Sequence, residues 1–232
     1  MREIILDTET TGLDPAGGDR IVEIAALEIF NGYLTENKFH TYINPERDMP
    51  DSAFKVHGIS EVFLNDKPTF VSIVDLFLDF IGQDTIVAHN ADFDVRFINA
   101  EMERVGRSPI GNDRVIDTLA LARRKHPGAS NSLDALCARY GIDRSRRSKH
   151  GALIDSEILA EVYIELKGGR QTSLTFSSSK EARRIKPTRG LAERRNLLPS
   201  YLNSDDVDRH AIFVEKACGR SLWFGYASGP KV

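Results

Sequence analysis

The sequence predicts an α/β fold, a mixed sheet flanked by helices, followed by a flexible C-terminal tail. β-rich apolar runs come first in the chain, helical patterns alternate with short strand-like runs after residue 70, and the composition becomes polar and basic after residue 170. Strands first and alternating elements later are typical of helices packed on a sheet. With 232 residues, 41% of them apolar, the chain can bury one substantial core.

The first part of the chain predicts three consecutive strands. Residues 4–6 form a short β-rich run, residues 21–30 form a longer one, and residues 39–43 alternate partly between apolar and polar side chains. The simplest arrangement of three successive strands is an antiparallel meander.

Helical spacing of apolar residues organises the rest of the domain. The predicted elements are a helix at 71–81, a strand at 85–88, and helices at 93–105, 119–125, 133–140 and 152–167. Gly168 and Gly169 follow the last helix and supply a stop signal. We therefore expect a compact domain over residues 1–170.

Residues 171–199 predict a linker, because Ser, Thr, Lys and Arg replace bulky apolar side chains there. Its basic residues favour a solvated, self-repelling chain, and a patch that contacts DNA is the alternative. Residues 200–232 form a third segment. Asp205 is a candidate cap of a helix there, which is followed by an aromatic run at 222–224. The apolar stripe of this helix is Val207, Ala211, Val214 and Cys218.

Charge, cysteine content and hydropathy exclude several classes of protein. A formal net charge of −3 lacks the basic surplus that holds nucleic acid by phosphate neutralisation alone, so any nucleic-acid function must depend on a local site. Cys137 and Cys218 lack CxxC spacing, which argues against a disulfide framework and a thiolate zinc site. There is no secretory h-region, and no apolar run approaches the roughly 20 residues of a membrane span. We expect a cytoplasmic protein with no membrane partner.

Acidic residues at the ends of predicted elements are the candidate catalytic groups. Asp7 and Glu9 end the first strand and, being two residues apart, point to the same face. Asp94 follows the predicted strand at 85–88 and lies in the first turn of the next helix. The helix dipole alone favours a negative charge there. Asp155 lies in a mostly apolar helix, where a charge is costly without a partner such as a metal ion. His150 precedes it, and together these residues indicate a metal site.

The chemistry of this residue set points to phosphodiester hydrolysis. Carboxylate oxygens are the ligands that Mg²⁺ and Mn²⁺ prefer, and open positions remain for water and substrate phosphate. Two such cations about 3.5–4 Å apart activate the attacking water and stabilise the leaving oxygen. A neutral histidine can remove the proton of that water, since its unperturbed pKa of about 6.5 suits work near neutral pH.

Three segments resemble the exonuclease motifs of the DEDDh family: residues 6–12, residues 89–94, and the pair formed by His150 and Asp155. Further segments at 56–60, 66–70, 131–137 and 150–155 resemble the epsilon subunits of bacterial DNA polymerase III. This resemblance implies an RNase H-like fold with a five-stranded mixed sheet. It also implies a 3′→5′ DNA exonuclease that proofreads for a replicative polymerase and releases nucleoside 5′-monophosphates from DNA 3′ ends.

The resemblance assigns roles by position. It implies that Asp7, Glu9, Asp94 and Asp155 hold two divalent cations, Mg²⁺ or Mn²⁺, and that His150 is the general base. It further implies that the 3′-terminal nucleotide is bound by Thr8, Thr10, Gly12, Leu13, His57, His89 and Asn90. His57 and His89 have a second interpretation as structural histidines, because neither needs a metal ion to satisfy its ring nitrogens.

The segments after the domain resemble the partner-binding parts of the same family. Residues 171–176 resemble its sliding-clamp peptide, with Gln171, Leu174 and Phe176 as the contact residues. The tail resembles the segment that binds the polymerase catalytic (alpha) subunit, with Trp223 as the anchor. Residues 177–199 depart from the family pattern, and a small accessory subunit is left open as a further partner.

Two other functions remain as alternatives. A stand-alone DEDDh exonuclease acting on RNA or short oligonucleotides has the same fold and metal site, and the tail argues against it. A non-catalytic structural subunit is disfavoured by the intact set of carboxylates. A nuclease assay with and without metal separates the structural subunit from the enzymes, and co-purification with the polymerase separates the two enzymes.

Overall fold

The computed structural model describes residues 1–145, 150–169 and 203–218, and the chain divides into two units, residues 1–175 and 176–232. The strands of the first unit are β1 (Arg2–Thr10), β2 (Ile21–Phe30), β3 (Tyr33–Tyr42), β4 (Thr85–Ala88) and β5 (Val115–Asp117). Its helices are α1 (Asp51–His57), α2 (Glu61–Leu64), α3 (Phe70–Ile81), α4 (Asp92–Arg104), α5 (Thr118–Lys125), α6 (Leu133–Tyr140) and α7 (Ala152–Leu166). One helix, α8 (Ser204–Cys218), is described in the second unit.

The strands form one five-stranded sheet in the order β3-β2-β1-β4-β5. β1 and β2 pair antiparallel, as do β2 and β3, whereas β4 runs parallel to β1 and to β5. The predicted meander and the mixed five-stranded sheet are therefore confirmed. Since β1, β4 and β5 are parallel, their carboxyl ends meet at one edge of the sheet, which is where open α/β sheets bind ligands.

Helices cover both faces of the central strand. Ile4 and Leu6 pack with Phe77 of α3, while Ile5, which points the opposite way, packs with Tyr163 of α7. All three β1 side chains are fully buried. A strand buried on both faces appears as a continuous apolar run without alternation, so the sequence located β1 but not its limits.

Some elements differ from the sequence prediction. β3 begins at Tyr33 and not near residue 39, because Asn31 and Gly32 form a tight turn after β2, with φ of 52° and 86°. An Asn-Gly pair with two positive φ angles is the hairpin signal that the apolar pattern did not contain. The short elements α1, α2 and β5 were not predicted, because runs of 7, 4 and 3 residues are too short to show a clear periodicity.

The remaining helices lie close to their predicted limits, and the expected helix in the tail is present. Asp205 is not its cap: it lies in the first turn, and Oδ1 of Asn203 accepts from the Asp206 amide at 2.8 Å. In α8, Val207 and Ala211 are exposed, whereas the side chains of Val214 and Cys218 lie outside the described residues. Across the described ranges, no helix combines the length and apolar character that a membrane crossing requires.

Candidate active site

The carboxyl edge of the parallel strands brings the predicted acidic residues together. β1 carries Asp7 and Glu9 near its end, and the segment after β4 leads into α4 with Asp94 in its first turn. Asp155 lies in the first turn of α7, which packs against β1 and β2. Three separate elements thus deliver carboxylates to one place.

Asp94 is held by a hydrogen bond from β1. The Thr8 hydroxyl donates to Oδ1 of Asp94 at 2.7 Å, and Asp94 is 3% exposed. The first turn of α4 also favours a negative charge through the helix dipole. Thr8 therefore has a structural task in the site, because it fixes a carboxylate carried by another element.

His150 lies beside Asp155 just before α7. Its Nδ1 is 3.1 Å from Oδ2 of Asp155, and the His150 side chain is 51% exposed whereas that of Asp155 is 6% exposed. One ligand atom each from Glu9, His150 and Asp155 lie within 4.8 Å of one another. A histidine open to solvent is thus oriented by a buried carboxylate.

Burial and neighbouring carboxylates raise the pKa of Asp7, and burial raises that of Asp94. Burial raises the pKa of Asp7 well above its usual range, and the charges of Asp94 and Glu9 add to this. Burial also raises the pKa of Asp94 to about 7, against the opposing hydrogen bond from Thr8. Such crowding destabilises the ionised site unless a cation compensates it. The donor set, all carboxylate oxygens with an adjacent imidazole, fits a hard divalent cation.

A cavity of about 870 Å³ opens above these groups. Asp7, His150 and Asp155 line it, together with His89 and Asn90, which were predicted to bind the nucleotide. Its volume is within the usual range for ligand pockets, about 300–1,000 Å³. The cavity is therefore large enough to hold a nucleotide at the carboxylates.

Thr10 ends β1, and Gly12 and Leu13 follow it in the loop between β1 and β2. The Thr10 hydroxyl donates to the Gly12 carbonyl at 2.6 Å, and a Cβ on Gly12 would stand 2.2 Å from the Asp19 carboxylate. A larger residue at this position would have to displace the Asp19 carboxylate. Leu13 follows Gly12 and is 79% exposed, which is unusual for a leucine and suits contact with a ligand outside the chain.

The two histidines with alternative interpretations differ in the structure. His57 is buried at the end of α1, where its Nδ1 accepts a hydrogen bond from the Ile59 amide at 3.0 Å, and it is not among the described residues that line the cavity. His89 does line the cavity, and its Nδ1 lies 2.9 Å from the Thr118 hydroxyl. Burial lowers the pKa of His89, so the ring is kept neutral.

Two further acids support the site, and sequence reasoning missed both. Oδ1 of Asp117 accepts hydrogen bonds from the amides of Asn90 and Leu119, at 3.0 and 2.9 Å, and so holds Asn90 at a φ of 62°. Oε2 of Glu23 accepts from the Ala152 amide at 3.1 Å and so caps α7. The cap signal Asp117-Thr118 was available in the sequence, whereas the role of Glu23 depends on contact across the fold.

Comparisons with known proteins agree with this geometry. Residues 4–163 match the exonuclease family. DNA polymerase III subunit epsilon of Rickettsia prowazekii (strain Madrid E) is 56% identical over 176 residues, which is 75% of this chain and 77% of the relative. The epsilon subunit of Escherichia coli (strain K12) is 43% identical over 236 residues, 96% of this chain and 97% of the relative.

Solved structures share the fold. Exonuclease X in complex with 5′ overhanging duplex DNA superposes with a TM-score of 0.56 and 31% identity, over 71% of this chain and 90% of that one. The nuclease domain of 3′hExo, a DEDDh family member bound to rAMP, has a TM-score of 0.63 and 20% identity. The match covers 72% of this chain and 91% of that one. The fold, the clustered acids and the sequence relatives agree, and the chain belongs to the exonuclease family and, within it, to the epsilon subunits of DNA polymerase III.

Proposed function

We propose that this chain is the 3′→5′ exonuclease that proofreads DNA for a replicative polymerase and releases nucleoside 5′-monophosphates. The observation that carries the proposal is the clustering of carboxylates from β1, α4 and α7 beside a half-exposed histidine, next to a cavity that Asp7, His150 and Asp155 line. Relatives that are 43–56% identical to this chain are named as epsilon subunits of DNA polymerase III, which supports a role beside a DNA polymerase.

Asp7, Glu9, Asp94 and Asp155 would hold two divalent cations, Mg²⁺ or Mn²⁺. Bound there, such cations supply Lewis-acid stabilisation of the phosphoryl oxygens and lower the pKa of a water. The raised pKa values of Asp7 and Asp94 are consistent with a site that needs positive charge. Within the cluster, the Thr8 hydroxyl donates to Asp94 and the His150 imidazole lies against Asp155.

His150 would act as the general base. Donation of its Nδ1–H to Asp155 makes Nε2 the basic nitrogen, and the half-exposed ring is accessible to water. Because Asp155 orients the ring, the imidazole need not reorganise when it takes the proton. Leu13 and the loop around Gly12 would contact the terminal base, and His89 and Asn90, which line the cavity, would contact the sugar and phosphate.

Reaching this cavity requires a free 3′ end, which predicts a substrate preference. We expect a mismatched or single-stranded 3′ end to be degraded roughly 10–100-fold faster than a paired one, because each unpaired nucleotide costs a few kcal/mol. Gel assays on one labelled primer, annealed to a matched or a mismatched template, measure this. Equal rates on both duplexes at equal concentration would contradict the proofreading function.

The proposed partners follow from the other segments of the chain. Gln171, Leu174 and Phe176 of the proposed clamp peptide, and Trp223 in the tail, lie outside the described residues. In α8, Val207, Ile212 and Phe213 are more than half exposed, which is consistent with an apolar surface that a partner covers. We propose three segments: the exonuclease domain at 1–170, the clamp peptide and linker at 171–199, and a polymerase-binding tail at 200–232.

Removal of the tail tests this organisation. A chain that ends after Phe176 is expected to keep its exonuclease activity and to lose stable binding to the polymerase alpha subunit, since the proposed anchor lies beyond the cut. Gel filtration with the alpha subunit and a nuclease assay measure the two properties. Unchanged binding by the shortened chain, with a lower melting temperature, would instead indicate that the tail packs on its own domain.

A further inference from the structure

The cavity extends beyond the carboxylates toward a second wall. That wall is formed by the last turn of α5, the loop before α6 and the start of α6, and it includes Arg123, Asn131, Ser132 and Asp134. None of the proposed cation ligands or nucleotide contacts lies on it. Because the substrate is a strand, the part of it that precedes the terminal nucleotide must also be accommodated.

Arg123 is the cation of this wall. Among the described residues that line the cavity, it is the only Lys or Arg. Its guanidinium makes no hydrogen bond or salt bridge with other residues in the described ranges. Asp134, the acid on the same wall, lies 3.1 Å from Arg144. The positive charge of Arg123 is therefore available to a ligand, in a cavity that is otherwise acidic.

The loop that faces Arg123 is held in place by hydrogen bonds. Asn131 is 8% exposed, and its Nδ2 donates to the carbonyls of Ala129 and His126 at 2.9 and 3.2 Å. Ser132 caps α6 by accepting from the Ala135 amide at 3.3 Å. The second wall is thus shaped before any substrate binds.

His89 connects this wall to the predicted catalytic groups. Burial is the main cause that lowers the pKa of His89, the Asn131 backbone opposes it, and the charge of Arg123 adds to it. Arg123 therefore lies close to a residue that borders the cleavage position. A group bound by Arg123 would belong to the nucleotide next to the one removed.

We propose that Arg123 binds the phosphate on the 5′ side of the penultimate nucleotide, one phosphate away from the bond that is cut. The inference rests on the proposed exonuclease function and adds a subsite to it. The planar guanidinium can donate two parallel hydrogen bonds to one phosphate, a geometry that a lysine does not offer. The contact recognises the backbone, so it favours strands of any sequence.

Two dinucleotides isolate this contact. The dinucleoside monophosphate TpT contains only the phosphate that is cut, whereas pTpT carries the additional 5′-phosphate at the position proposed for Arg123. The full-length protein is expected to show a kcat/KM about 10–100-fold higher for pTpT than for TpT, which is the size of effect that one charge-assisted hydrogen-bonding contact gives. Most of the difference should lie in a lower KM for pTpT. In Arg123→Gln this ratio falls toward one, and Arg123→Lys restores part of it.

Arg124→Gln is the matched control, because Arg124 is the adjacent exposed arginine of α5 and is not among the described residues that line the cavity. Arg124→Gln is expected to have the same ratio of kcat/KM for pTpT to kcat/KM for TpT as the unchanged protein. On a longer single strand, Arg123→Gln also lowers the salt slope of binding by about 0.7, the value for one phosphate contact.

The outcomes separate the two proposals. A ratio near one in the unchanged protein overturns the Arg123 subsite while the exonuclease function stands. Equal losses on both dinucleotides in Arg123→Gln, no loss at all, or the same loss in Arg124→Gln also overturn it. Failure of the unchanged protein to cut either dinucleotide or a longer strand with Mg²⁺ or Mn²⁺ overturns the proposed function and the subsite together.

Discussion

Replacement of Asp7 with Asn is expected to lower the exonuclease rate by roughly 10²–10⁴-fold. Asp7 lies at the centre of the acidic cluster, with Glu9, Asp94 and Asp155 all close enough to raise its pKa. A carboxylate in this position would help to hold divalent cations, which would stabilise the transition state by several kcal/mol. Each loss of about 1.4 kcal/mol reduces the rate tenfold. Single-turnover hydrolysis of a labelled single strand at saturating Mg²⁺ measures the effect.

The same substitution should stabilise the protein when metal is removed. The pKa of Asp7 is raised in the folded state, so ionised Asp7 destabilises the fold, and this effect grows as pH rises from the unfolded value of about 4. Below that value both states are protonated and the effect is absent. At pH 8 in EDTA, Asp7→Asn should therefore melt at a higher temperature than the unchanged protein, and Mg²⁺ should raise its melting temperature less.

Asp92→Asn is the control for both measurements. Asp92 lies in the first turn of α4 as Asp94 does, but its side chain is 82% exposed and pairs with Arg96. Activity and metal response should stay close to those of the unchanged protein. Near-normal hydrolysis by Asp7→Asn, or a lower melting temperature in EDTA at pH 8, would show that Asp7 is not part of a cation site.

Replacement of His150 with Ala is expected to slow hydrolysis by about 10²–10⁴-fold, the usual contribution of a general base. Divalent-cation binding should be retained, because the four carboxylates remain. Titration calorimetry with Mn²⁺ and single-turnover kinetics separate these two quantities. His210→Ala, which changes an exposed histidine of α8, serves as the control and should affect neither.

The competing role for His150 is that of a cation ligand. Its ring lies with Glu9 and Asp155 in a group whose ligand atoms are within 4.8 Å of one another, so the apo geometry permits that role. Removal of a cation ligand lowers both Mn²⁺ affinity and the hydrolysis rate, whereas removal of a general base lowers only the rate. Loss of Mn²⁺ affinity in parallel with the rate would assign His150 to the cation site and exclude it as the base.

Much of the site could be predicted because its chemistry is local in sequence. Asp7 and Glu9 share a face through strand alternation, and Asp94 and Asp155 occupy first turns of helices with recognisable patterns. The β1, β4 and α4 elements have strong apolar patterns as well. The resemblance to a known family then assigned roles to these residues, which spacing alone could not do.

The parts that escaped prediction depend on distant contacts. β5 is a three-residue strand defined by its pairing with β4, and Asp117 at its end supports Asn90 from another strand. Arg123 showed no pattern in the sequence, because one arginine in the last turn of a helix is normally a solvated C-terminal charge. Among the described residues, Arg123 lines the cavity and the adjacent Arg124 does not, and this difference is visible only in the structure.

The cap that Glu23 gives to α7 joins residues that are 129 positions apart. During synthesis the acids of β1 emerge first, but Asp155 and His150 reach them only after α7 has been made and has packed onto β1 and β2. Such a late, long-range closure makes folding slower than a local arrangement would. It also means that a chain interrupted before α7 lacks Asp155 and His150, so the carboxylate cluster is complete only when the whole domain has been made.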